Sequence, residues 1–94
     1  MRQLVLTSRF RRTFRRFVRR NPALQRQIEN TLRQMQDDVF APGLGTHKLS
    51  GPLLGLRACY CGYDCRIAFQ IEPDPPTGGE VIILVSVGNH DEVY

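Results

Sequence analysis

Residues 80 to 94, EVIILVSVGNHDEVY, constrain the fold of this chain more than any other stretch. Val81 to Val87 read as one strand, because Val81, Ile82, Ile83, Leu84 and Val85 are consecutive and mostly β-branched. An unbroken apolar run of that kind predicts a strand covered on both faces, at the centre of a small sheet. Gly88-Asn89 then predicts a turn, followed by His90, Asp91, Glu92 and Tyr94. A histidine just past a rigid strand stands where loops tend to carry function.

The rest of the chain supplies what covers such a sheet. Residues 2 to 7, RQLVLT, predict a short first strand, and Ser8 is a candidate cap for the helix that follows. Phe10, Phe14, Phe17 and Val18 share one apolar stripe, while Arg11, Arg12, Arg15, Arg16 and Arg19 fall on the opposite side. Asn21-Pro22 restarts the helix, with Asn as N-cap and Pro at the first helical position. Leu24, Ile28, Leu32 and Met35 form a second stripe, ending near Asp38. Two such helices with almost no linker predict an antiparallel hairpin that buries both stripes on the sheet.

Residues 39 to 46 read as a loop, and HKLSG leads into a meander. Its strands are Leu56 to Cys61, Asp64 to Glu72 and the final run, with PDPPTGG as the loop between the last two. In the middle strand Cys65, Ile67, Phe69 and Ile71 face one way, and Asp64, Arg66, Ala68 and Gln70 the other. That alternation predicts one packed face and one open face. The order is β-α-α-β-β-β, an α+β fold in a single domain over residues 1 to 94.

Charge narrows the partner. Net charge is +4, and eight arginines lie in the first 20 residues, whereas the first acid is Glu29. This asymmetry points to an anionic partner. Twelve of the thirteen basic residues are Arg, which suits bidentate contact with phosphate or carboxylate. No apolar run approaches the roughly 18 residues of a membrane span, so no membrane partner is expected. Cys59, Cys61 and Cys65 are odd in number and no secretory leader is evident, which predicts reduced thiols in a cytoplasmic protein. Their spacing matches no standard zinc pattern, so neither a metal nor any other cofactor is expected.

The meander brings a set of polar residues toward one rim. His47 and Lys48 enter it, Arg57 lies in its first strand, Asp64 and Arg66 share the open face of its second, and His90 and Tyr94 leave its last. Strands about 4.8 Å apart make convergence feasible.

The segments KLSG, DCRIAFQI and VGNHDEVY resemble the RelE/ParE superfamily of bacterial type II toxins, over essentially the whole chain. The similarity is greatest to the mRNA-interferase branch, which includes YafQ- and YoeB-like members. The resemblance implies a helical hairpin on a mainly antiparallel sheet and cleavage of messenger RNA, typically on the ribosome. It also implies silencing by a cognate antitoxin. By motif, Arg66 matches the arginine at the scissile phosphate, His90 an acid-base histidine, and Tyr94 the C-terminal aromatic near the cut nucleotide. His47 and Asp64 match positions with catalytic roles. One departure stands out: the YafQ-like group has a further histidine near residues 60 to 63, where this chain has Tyr60 and Tyr63.

RNA carries its own nucleophile, the 2′-hydroxyl. Cleavage then needs a base, a cation for the phosphorane and an acid for the leaving 5′ oxygen, with no metal required. The implied roles are Asp64 or His47 as base, Arg66 and Lys48 as cations and His90 as acid. Arg57 and the arginines of the first helix would hold message or ribosomal RNA. The competing readings are a ParE-like inhibitor of DNA gyrase without chemistry and an inactive RNA-binding domain.

Overall fold

Thr7, not Ser8, caps the first helix: its hydroxyl accepts from the Phe10 amide and donates to the Leu84 carbonyl, so one side chain joins helix start to sheet. The computed structural model describes residues 2–94. Its elements are β1 (Gln3–Leu6), α1 (Ser8–Phe17), α2 (Pro22–Asp37), β2 (His47–Lys48), β3 (Arg57–Tyr60), β4 (Arg66–Asp74), β5 (Gly79–Gly88) and α3 (His90–Val93). The strand order is β1-β5-β4-β3-β2, with β1 parallel to β5 and the other pairs antiparallel.

The expected α+β layering is present. Asn21 and Pro22 start α2 as anticipated. Phe10, Val18, Ile28 and Met35 from the hairpin form one core with Cys59, Ile67, Phe69, Ile82, Leu84 and Val87 of the sheet. The sequence order gains a two-residue strand at His47–Lys48, too short to show a period, and a final helical turn.

The apolar run of β5 is interior but not sheathed on both sides. Ile82 and Leu84 are fully buried, whereas Val81, Ile83 and Val85 are only partly covered. A bulge interrupts its pairing with β4: Ala68 sits opposite Ser86, Phe69 opposite Leu84, and Val85 is left out of register. The extra residue puts Val87 on the same face as Leu84, so both reach the helices.

Directly opposed residues share a face, so the register sorts the sheet into two sides. Cys59, opposite Ile67, points toward α2, where its sulfur lies 3.8 Å from that of Met35. Arg57 and Lys48, paired with each other and with Phe69 through Arg57, fall on this same helix side. His47, Ala58, Ala68 and Ser86 form a row on the other side, as do Tyr60, Arg66 and Gly88.

That second face is open only in part: Gln70, Val81 and Ile83 stay partly exposed, as the alternation suggested, but the end near Gly88 is closed. Ala58, Ala68 and Ser86 are buried. The cover is α3, which packs on β5 and β4 with Val93 inside. Gly88-Asn89 therefore starts a helix rather than a simple turn. Asn89 accepts from the Glu92 amide while the Glu92 carboxylate accepts from the Asn89 amide, a capping box that turns the chain back over the sheet.

Candidate active site

The folding back of α3 assembles the site. Tyr94 lies edge-on to His90, with ring centroids 4.5 Å apart, and edge-on to His47 at 6.0 Å. The two imidazoles thus flank one phenol. Tyr60 also adjoins His47, its ring 6.1 Å away, and the Arg66 guanidinium carbon lies 4.5 Å from the Tyr60 centroid. His47, Arg66, His90 and Tyr94 meet as the sequence suggested, although they come from β2, β4 and α3.

His47 has a defined tautomer. Its Nδ1 is 2.9 Å from the Gly45 carbonyl oxygen, which can only accept, so Nδ1 carries the hydrogen. In the neutral ring Nε2 is then a bare acceptor, and the Tyr94 hydroxyl donates to it over 3.1 Å. Burial pushes the Tyr94 phenol up from its usual value, and the nearby Arg66 charge only partly offsets this. Tyr94 therefore remains a hydroxyl donor at neutral pH.

Arg66 is held by the turn before it. Its Nη1 donates to the carbonyls of Cys65, at 2.9 Å, and Gly62, at 3.3 Å, while Nε is buried without a partner. Among the described residues no carboxylate lies within ion-pair distance of Arg66. A half-buried guanidinium without a counterion is a ready site for an anion.

The turn departs from expectation in three ways. Asp64 is not in the strand, which starts at Arg66, but in the turn with φ of 52°. Its Oδ1 accepts from the His90 amide at 3.2 Å, so the carboxylate tethers α3. Cys61 and Cys65 form a disulfide across the turn, and only Cys59 is a free thiol, which corrects the expectation of three reduced cysteines. Alternation does not reveal this pairing, because it depends on a turn that returns Cys65 to within 5.0 Å of Cys61 at Cα.

Lys48 and Arg57 do not join the cluster. The register places them on the helix side, where Arg57 lies 5.7 Å from the Phe40 ring centroid. Arg11, Arg12, Arg15 and Arg16 on α1, and Arg19 just after it, are exposed as expected. Sequence reasoning gave no role to Tyr60 or Gly45. Only the chain's exchange of an expected histidine for tyrosine at that place drew attention to Tyr60. Among the described residues no group of three or more His, Cys, Asp or Glu side chains could hold a metal ion.

No protein-family profile matches the chain, and no curated protein matches it. Solved structures do. The YoeB/ParE toxin from Agrobacterium tumefaciens superposes with a TM-score of 0.75 at 16% identity, over 94% of this chain and 98% of that one. The conserved hypothetical protein HP0894 from Helicobacter pylori gives 0.75 at 22% identity, over the whole of both chains. The E. coli DinJ-YafQ complex gives 0.76 at 10% identity, over 100% of this chain and 99% of that one. The chain has the fold of the YoeB, ParE and YafQ toxins. In the YoeB/YafQ-type fold of this chain, the rim formed by β2, β4 and α3 carries the two imidazoles and the unpaired guanidinium.

Proposed function

We propose that this protein is the toxin of a type II toxin-antitoxin pair, an endoribonuclease that cuts messenger RNA on the ribosome. The observation that carries the reading is His47. A backbone carbonyl locks its tautomer, its Nε2 accepts from a hydroxyl, and an unpaired arginine stands one ring away. A substrate 2′-hydroxyl can replace the Tyr94 hydroxyl at Nε2.

His47 then takes the 2′-hydroxyl proton as that oxygen attacks the adjacent phosphorus. Arg66 offers its free Nη2 to the phosphorane oxygens. His90, in its protonated form, gives a proton to the departing 5′ oxygen. The products are a 2′,3′-cyclic phosphate and a 5′-hydroxyl, with the two histidines left in exchanged protonation states. Asp64 positions His90 through its backbone, and Tyr94 keeps the imidazoles apart. Messenger and ribosomal RNA would lie against the α1 arginines. The structural likeness to a DinJ-YafQ complex supports a cognate antitoxin as the second partner.

Cleavage of a defined message in a translation extract tests this reading. The wild-type chain should leave cyclic-phosphate ends, and His47→Ala and His90→Gln should each lose roughly 10²- to 10⁴-fold in single-turnover rate. If growth arrest persists in both variants while messages stay intact, the non-enzymatic gyrase reading replaces this one.

A further inference from the structure

Beside the imidazole cluster lies a groove of about 490 Å³ that the proposed chemistry leaves unused. One wall is α2, through Gln27, Asn30 and Gln34; the other carries Tyr60, Gly62 and Arg66. The volume falls in the range of about 300–1,000 Å³ typical of sites that hold one small ligand. Tyr60 and Arg66 belong to both places, so the groove opens from the candidate catalytic cluster.

Its chemistry differs from the rest of the surface. Gln27, Asn30 and Gln34 are spaced i, i+3 and i+7, which places three neutral amides in one stripe along α2. All three are exposed. Elsewhere the helical hairpin presents mostly arginine. Amides attract no phosphate by charge, but each offers a carbonyl acceptor and two N–H donors, the combination that pairs with a base edge. Asn30 Oδ1 already accepts from Arg33, which leaves its amide hydrogens for a ligand.

The stripe is fixed against the site. Gly62 has φ of 126°, and a Cβ there would lie 1.7 Å from Gln27 Nε2. The α2 amide therefore rests directly on the backbone of the turn whose Gly62 carbonyl holds Arg66. A base held by Asn30 and Gln34 would keep a constant offset from a phosphate at Arg66.

We infer that this groove is a base-recognition subsite for a single-stranded RNA nucleotide next to the phosphate bound at Arg66, with Asn30 and Gln34 as the specificity-determining residues. The inference rests on the proposed ribonuclease reading for its substrate, but its test does not need cleavage. Unstacked bases with accessible edges occur in single-stranded RNA, the form in which sequence-specific recognition is usual.

The experiment uses the full chain and a fluorescent 2′-O-methyl RNA octamer of mixed sequence, which cannot be cut. The Asn30→Ala/Gln34→Ala variant changes two exposed, uncharged side chains, and its melting temperature should match the wild type. Its Kd should rise roughly tenfold, the scale of one lost bidentate amide contact. The slope of log Kd against log salt should stay unchanged, because no phosphate contact is removed. Arg66→Ala should instead reduce that slope. Equal Kd for the amide variant and the wild type overturns the inference even if the wild type cuts RNA. A lost slope in the amide variant also overturns it, since the amides would then act through phosphate contacts. A tenfold loss in a chain that never cuts RNA upholds the subsite and discards the ribonuclease reading.

Discussion

Arg66 is the residue whose removal separates chemistry from folding most cleanly. Its guanidinium lies over Tyr60 and touches two backbone carbonyls, and no core side chain depends on its charge. On the proposed ribonuclease reading, Arg66→Ala should cost about 2.7–4 kcal/mol of transition-state stabilisation, the scale for one preorganised donor, or about 10²- to 10³-fold in rate. Its melting temperature should move little, and a variant with wild-type cleavage would remove Arg66 from the mechanism. Cys59 makes the opposite case, a residue of stability alone. Burial pushes its thiol up from 9.0 to about 12. The unfolded chain ionises there first, so stability holds below pH 9.0 and declines as pH climbs toward about 12. Melts on either side of pH 9 should show that decline, and in Cys59→Ala it should be shallower, from a lower starting melting temperature, with the raised Tyr94 phenol still contributing.

At the scale of elements, the Cys61–Cys65 turn is the part to test. Its carbonyls hold Arg66, and its Asp64 holds His90. A bridge closing so short a loop stabilises by about 2 kcal/mol on the chain-entropy account. A Cys61→Ser/Cys65→Ser variant should therefore melt roughly 10 °C lower. An unchanged melt would mean the turn is already held by its hydrogen bonds. The elements themselves were mostly legible in the sequence. Period and capping residues gave the two helices, and β-branching gave β5, because those signals are local. The faces were less legible. The Val85 bulge shifts one strand's alternation, and the two-residue strand His47–Lys48 has no alternation to read. This is why His47 could be placed at the site but Lys48 and Arg57 could not be kept from it. The helical return of α3 was hidden for a related reason, since four residues carry no helical period.

Over the whole molecule, charge and shape divide the surface. Eight of the thirteen basic residues lie in the first 20 positions, and among the described residues none on α1 has a carboxylate within ion-pair distance. Association with the proposed partners, an acidic antitoxin segment or RNA, should slow as salt rises, because exposed charges are screened beyond about 8–10 Å near physiological ionic strength. Stopped-flow association rates that ignore salt would rule out charge as the steering force.

Gly45 gives this arrangement a point of fragility that lies outside its reactive side chains. It sits at φ of 59°, its carbonyl fixes the His47 tautomer, and a Cβ there would come within 2.5 Å of the Tyr60 ring. Any other residue at this position strains the backbone and pushes on that ring. If the chain arrests growth as proposed, survivors of its forced expression that still make full-length protein should repeatedly carry replacements of Gly45. The heritable weak spot of such a gene would then lie at a residue with no side chain to offer a ligand.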